Sequence, residues 1–399
     1  QLLRHAYRAI PYWHELIEKE FADGTVFDIK QFERLPILTR ETLRERRHEF
    51  LIKNLERYKY RTFVTSGSTG IPKEFVAQKI YFQKVMATEE FYVNFCGLKA
   101  YKQYGFLLHK PHLEDLVTYI SKDLDISTLQ KLLRDKNVSA VGGSLHRLMS
   151  LAEKIENGEI RFRPKFVLSG AEFLTAENRR YLERIFQCPV YDKYVCAEAG
   201  TLGLECSERG GFHINPVNCY MEIVDDNGRP VTNGNLGKIV ITIFNNRLMP
   251  LIRYDLGDTG SWINDKKDCG CGLRTPRLQF NGRAHDYLRF ADGRKYSVLA
   301  FSAVDNKFAS AIIKRQLIQE SLTKLIFKFV PHKSYQPYLD GLKGEIRNYI
   351  INNRLRDFPS INVEVEAVPF LDNLKNGKYV LFESRIKDGL PEKILQTKP

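Results

Sequence analysis

The sequence predicts an α/β protein with a large N-terminal α/β domain that carries a β subdomain, followed by a small C-terminal α+β domain. Three observations carry this. From residue 60 to about 194, short apolar runs alternate with helical patterns. From about 212 to 263 the pattern alternates with period two, with turn signals at Asp226-Asn227-Gly228 and Asn233-Gly234. After Gly282 a β-α-β pattern appears. The expected domains are 1–281, with its β subdomain over about 212–263, and 282–399.

Taken in order, residues 1–57 read as helices broken at Pro11 and Pro36. Tyr60–Val64 reads as a strand that runs into a Gly-rich loop. Strands follow at Tyr104–Leu108, Val138–Val141, Phe166–Leu168 and Val190–Tyr194, with helices at Leu145–Ile155 and Ala176–Phe186 between them. In the last segment, Leu325–Val330, a helix from about Tyr335 to Asn353, and Ile361–Val368 form the β-α-β unit. The chain opens inside a helical pattern, Leu2 to Lys19, which implies that a few native residues precede Gln1.

Composition narrows the class. Of 399 residues, 43% are hydrophobic and 27% charged, ordinary for a globular protein with a large core. The net charge of +13 raises nucleic acid as a partner. The basic residues are dispersed, and the densest run, Arg44-Glu45-Arg46-Arg47, has acids beside it, so an anionic small molecule suits the field better. Seven cysteines at irregular spacing do not form a disulfide framework. There is no signal-peptide pattern and no apolar run of membrane-spanning length, so the expectation is a cytoplasmic enzyme without a membrane partner.

The chemistry starts at Thr65-Ser66-Gly67-Ser68-Thr69-Gly70-Ile71-Pro72-Lys73. Small residues let backbone N–H groups close around an anion, and the hydroxyls and Lys73 add donors. A Walker loop needs G-x-x-x-x-G-K-[ST]; here Gly67 and Gly70 are too close and Pro72 precedes the lysine, so a P-loop NTPase is excluded.

This loop resembles the phosphate loop of the adenylate-forming superfamily: acyl- and aryl-CoA ligases, nonribosomal adenylation domains and luciferases. Five further elements follow in the family's order. Ser169-Gly170-Ala171-Glu172 resembles the turn that lies against adenine. Tyr191–Glu198 resembles Y-G-x-[ST]-E, which implies that Tyr194 stacks on adenine and Glu198 holds Mg²⁺; Val195 and Ala197 stand where the family has Gly and Ser/Thr. Arg253–Asp258 resembles Y-R-T-G-D, whose final Asp, here Asp258, accepts from the ribose hydroxyls. Gly282-Arg283-Ala284-His285-Asp286 resembles G-R-x-x-D beside the domain hinge, and Asn376-Gly377-Lys378 the loop of the catalytic lysine.

His5-Ala6-Tyr7, Ile10-Pro11-Tyr12-Trp13 and Leu35-Pro36-Ile37-Leu38-Thr39 resemble the phenylacetate–CoA ligase-like branch, which includes capsular polysaccharide-type relatives. The resemblance implies a ligase that uses ATP and Mg²⁺ to convert a carboxylic acid, expected to be aromatic, to an acyl-adenylate. A mobile small domain then swings Lys378 away, and coenzyme A takes the acyl group. A carrier-protein thiol or an amine is the alternative acceptor, a homodimer a candidate assembly, and a degenerate nucleotide-binding scaffold the alternative of another class. Phe91, Tyr92 and Phe95 stand at helical spacing and read first as a core stripe, with an aryl pocket as the second reading.

Cys206, His213, Cys269 and Cys271 offer three thiolates and an imidazole, a closed set for structural Zn²⁺. Some phenylacetate–CoA ligase-like proteins resemble this pattern. Four unlinked residues are the plain reading, and Cys219 is a rival ligand.

Overall fold

The computed structural model describes residues 1–21, 29–65, 73–78, 80–81, 84–85, 87, 104–108, 118–121, 125–232, 234–263, 269–283, 287–308, 310–371, 374–375, 378–386 and 393–394. The chain divides into two compact units, one of residues 1–171 and 183–280, the other of 172–182 and 281–399. Among the described residues no helix is long and apolar enough to cross a membrane.

The first unit opens with helices α1 (Leu2–Ala9), α2 (Pro11–Glu20), α3 (Ile29–Arg34) and α4 (Arg40–Glu45). Pro11 takes the first position of α2, where its missing N–H costs nothing. Thr39 caps α4 by accepting from the Thr42 N–H at 3.1 Å. These helices and the segments that join them place Ala6, Ile10, Trp13, Ile17, Leu35 and Leu38 in one core with sheet residues Ile239, Ile241 and Tyr254. The Trp13 indole donates to the Pro250 carbonyl at 3.0 Å, so the large ring is buried without an orphaned donor.

β1 (Tyr60–Thr65) and β2 (Lys73–Gln78) form an antiparallel pair around the Gly-rich segment 66–72. The main sheet has eleven strands: β3 (Tyr104–Leu108), β4 (Thr118–Ser121), β5 (Ala140–Ser144), β6 (Phe166–Gly170), β7 (Val190–Cys196), β8 (Gly200–Glu205), β9 (Phe212–Ile214), β10 (Cys219–Val224), β11 (Gly237–Ile243), β12 (Tyr254–Trp262) and β13 (Arg277–Arg283). Their order is β10-β11-β12-β13-β9-β8-β7-β6-β5-β3-β4. β4, β3, β5, β6 and β7 run parallel, and β8 turns the sheet antiparallel. The period-two region read as a β subdomain thus continues the parallel sheet through hydrogen-bonded neighbours and does not stand as a separate sheet. β6 is buried along its whole length, which explains why it reads as a continuous apolar run. Helices α5 (Ile126–Asp135), α6 (Leu145–Glu156) and α7 (Ala176–Phe186) link the parallel strands.

In the second unit, β14 (Tyr287–Arg289), β15 (Arg294–Ser297) and β22 (Lys393–Ile394) form a small sheet. β16 (Ile312–Ser321), β17 (Lys324–Pro331), β18 (Asn362–Ala367) and β21 (Phe382–Ser384) form another, in the order β18-β17-β16-β21. Helix α8 (Ser302–Lys307) precedes it. Helix α9 (Leu339–Asn353) connects β17 to β18 and buries Leu342, Ile346 and Ile350, spaced four apart on one face, with Phe327 and Phe329. β19 (Leu374–Lys375) and β20 (Lys378–Tyr379) make a two-stranded ribbon.

The first unit is held across its sequence by Arg253, which is 2% exposed. Its guanidinium lies 3.0 Å from Glu222 and donates to the carbonyls of Glu33, Leu35 and Gly228. Five N–H donors in a rigid fork suit this task. Burial pushes the Glu222 carboxyl up, and the adjacent guanidinium opposes that shift. Arg253→Met is expected to destabilise the protein by about 3–5 kcal/mol, because it strands a buried carboxylate and three carbonyls. Urea unfolding followed by far-UV circular dichroism would show a lower midpoint; an unchanged midpoint would show that the cluster adds no net stability.

Candidate nucleotide site and metal centre

Of the residues expected around a nucleotide, Tyr194 of β7 and Asp258 of β12 meet through their side chains, although three strands lie between theirs in the sheet. Leu38 pairs with β12 through two backbone hydrogen bonds, Leu38 N–H to Arg253 O and Asp255 N–H to Leu38 O, at 2.9 and 3.0 Å. Arg253 adopts φ 46°, and Asp255 Oδ1 accepts from the Gly257 N–H at 2.6 Å, turning the strand sharply ahead of Asp258. Gly257 has φ +68°, and a Cβ there would stand 2.6 Å from the Arg40 guanidinium, so both conformation and space require glycine.

Asp258 is buried, and its Oδ2 accepts from the Tyr194 hydroxyl at 2.6 Å. The Tyr194 ring is set between Phe212 and Phe280, with centroids at 6.0 and 5.2 Å. Glu198 is buried on the turn after β7, and its backbone carbonyl accepts from the Tyr81 hydroxyl. Burial pushes the Cys196 thiol far up, and the charges of Glu198 and, more weakly, Asp258 add to it. Burial likewise raises the Tyr254 hydroxyl, with Glu198 adding and Arg40 opposing. Two carboxylates and one guanidinium therefore share a low-dielectric corner, an arrangement suited to orienting a polyhydroxylated, charged ligand.

Gly170 ends β6 and Ala171 follows with φ 66°, a tight turn. Glu172 is half-buried and belongs, like Arg283, to the second unit. Ser66, Gly67, Ser68, Thr69 and Gly70 lie outside the described residues, as do the side chains of Thr65, Lys73 and Lys378. Phe91, Tyr92 and Phe95 lie outside them too. Ala197 is exposed.

Cys206, His213, Cys269 and Cys271 come together with their ligand atoms all within 4.8 Å of one another. Cys206 lies just past β8, His213 in β9, and the two further cysteines on the turn before β13, which pairs with β9 at Arg277 and His213. The sulfurs of Cys206 and Cys269 are 3.6 Å apart, and Cys271 Sγ is 3.4 Å from His213 Nε2. Around a tetrahedral ion with Zn–S of about 2.3 Å, ligand atoms stand roughly 3.5–3.8 Å apart, so the set fits zinc. His213 Nδ1 meets Thr275 Oγ1 at 3.0 Å, which fixes the ring and leaves Nε2 toward the cysteines. Burial pushes the Cys206 thiol up to about 12 and raises Cys271, and burial, aided by Arg277, lowers His213. Cys219, the rival ligand, is instead buried in the first unit's core with Met221 and Ile223, for which its small apolar body suffices.

Residues that pattern reasoning passed over also line this region. Tyr81, Arg40 and Thr275 act through folding contacts that no local motif signals. Lys193 left a trace: a lysine, 5% exposed, inside the apolar strand β7.

No family model matches the chain. Protein CapK of Staphylococcus aureus is 21% identical over 345 residues, covering 80% of this chain and 74% of that protein. The phenylacetate-coenzyme A ligase of Thermus thermophilus is 24% identical over 309 residues, covering 72% and 69%. A 2-hydroxyisobutyryl-CoA ligase, solved in the postadenylation state with an acyl-AMP, shares the fold with a TM-score of 0.79 at 18% identity, over 97% of this chain and 87% of that one. The chain thus shares its fold with a CoA ligase solved with an acyl-AMP, and its sequence is similar to CapK and to a phenylacetate-coenzyme A ligase.

Proposed function

We propose that the protein is an ATP-dependent ligase that converts a carboxylic acid to its acyl-adenylate and passes the acyl group to coenzyme A. The observation that carries this is the buried Tyr194–Asp258 pair, with Glu198 buried on the turn that follows Tyr194 in the chain. The names of the relatives support the acceptor: two of the three are CoA ligases.

The chemistry is largely positioning and electrostatics. Asp258 accepts from the ribose hydroxyls, held in place by the Tyr194 hydroxyl. Glu198 offers a buried carboxylate for Mg²⁺, which, when bound, offsets phosphate charge. The segment 65–73 closes on the β- and γ-phosphates. A carboxylate oxygen of the acid attacks the α-phosphorus, the bond to the bridging oxygen breaks, and pyrophosphate leaves. Lys378 stabilises the charge that develops on the oxygens in flight. The thiolate of coenzyme A then attacks the acyl carbonyl, and AMP departs with its oxygen. Cys206, His213, Cys269 and Cys271 hold zinc in a structural role, because four protein ligands leave no open position.

Lys378→Ala is expected to slow ATP–pyrophosphate exchange by orders of magnitude while ATP still binds, as read by equilibrium dialysis. Undiminished exchange would remove the lysine from the mechanism. Asp258→Ala is expected to raise the KM for ATP about tenfold to a hundredfold, the loss of hydrogen bonds to a charged acceptor; an unchanged KM would move the ribose elsewhere. Protein purified without chelator is expected to contain about one equivalent of zinc by elemental analysis, and Cys269→Ser to lose it along with thermal stability. Less than half an equivalent in the wild type would refute the metal assignment.

A further inference from the structure

β1 is the outer strand of its ribbon. Phe75, Val76 and Ala77 of β2 are buried, whereas Tyr60, Arg61 and Thr62 of β1 are exposed. Tyr60 pairs with Gln78 at the end of the ribbon remote from the Gly-rich segment, so Tyr58 and Ile80 flank that same end. Tyr58, Tyr60 and Ile80 are 39%, 44% and 50% exposed. Lys53, Arg57, Lys59 and Arg61 precede the tyrosines or alternate with them, and all four are exposed. Glu56 is the one acid in that stretch. Arg47, beside β2, is held by Glu74 at 2.8 Å, but these four cations meet no carboxylate among the described residues. The net charge of +13 extends a field of the same sign around them.

An open strand edge needs only charge to keep other strands from pairing with it. That leaves two rings and an isoleucine in water beside the cations without a reason. Single-stranded nucleic acid would stack bases on the rings, but Ile80 has no π face to offer. A bilayer surface with negative headgroups uses every one of these groups. Its phosphates attract the cations, whose stems lie along the interface with their heads in water. Tyrosine rings sit at headgroup level, and an isoleucine side chain enters the acyl boundary. Such a contact needs no spanning segment. The six residues of β1, about 20 Å of extended chain, separate this end from the Gly-rich segment, so a surface contact here stays clear of it.

We propose that the Tyr58–Arg61 end of the β1–β2 ribbon, with Ile80, is a membrane-surface contact through which the protein binds bilayers that carry anionic phospholipid.

The test is sedimentation of the full chain with vesicles of phosphatidylcholine alone and of phosphatidylcholine with about one-third phosphatidylglycerol, at low and at raised salt. The wild type is expected to partition onto the anionic vesicles at least about tenfold more strongly than onto the neutral ones, with the preference falling as salt rises. Lys59→Glu combined with Arg61→Glu is expected to weaken the anionic binding about tenfold or more. Tyr58→Ser combined with Tyr60→Ser is expected to weaken it about fivefold to tenfold. Thermal melting of both variants, followed by circular dichroism, is expected to match the wild type. Equal binding of the wild type to the two kinds of vesicle overturns the proposal, even where a variant fails to fold. So does anionic binding that both variants retain in full. Single-stranded DNA that displaces the protein from anionic vesicles at equal phosphate concentration also overturns it, and assigns the patch to nucleic acid instead.

Discussion

The buried guanidinium of Arg253 is the constraint on which the first unit turns. It reaches back more than 200 residues in sequence to the carbonyls of Glu33 and Leu35, and across the sheet to Glu222 and Gly228. The same residue takes a left-handed backbone conformation and begins the turn that delivers Asp258. That conformation is strained for a side chain other than glycine, and the set of hydrogen bonds on the guanidinium offsets it. One residue thus fastens the N-terminal helices to the sheet and aims a carboxylate. The segment Leu38–Arg40, laid along β12, completes the seat by putting a second guanidinium over Gly257.

A second constraint lies at the other end of the antiparallel strands. Just past β8, within β9 and on the turn before β13 stand three cysteines and a histidine with their ligand atoms close together. β9, three residues long, gains little from packing alone. A closed ligand set would tie the turn before β13 to β8 and β9, and Thr275 already orients the imidazole for it. Since β13 neighbours β12, which carries Asp258, and Phe280 of β13 packs on Tyr194, order here bears on the Tyr194–Asp258 pair.

Much of the fold was legible in the sequence because local pattern and tertiary role agree. β3 lies where the apolar run Tyr104–Leu108 ends and begins, and α7 and α9 follow their amphipathic stretches. The strand read at Val138–Val141 instead runs Ala140–Ser144, since pairing to β6, and not apolar character, sets its limits. The helix expected from Tyr335 begins as a 3₁₀ turn over Lys333–Tyr338, with Pro337 inside it, before α9 proper. The period-two region was visible as antiparallel strands, but its continuity with the parallel sheet was not, because strand order depends on partners far away in sequence.

The sequence by itself determined the α/β class, and by resemblance singled out Tyr194, Glu198 and Asp258, because residue type and spacing are local properties. Only the tertiary structure decided which of them meet. It joined Tyr194 to Asp258, and chose His213 and three cysteines while sending Cys219 to the core. Those outcomes are set by register and burial, which fix where a side chain's donors and charge come to rest and which no single stretch of sequence encodes.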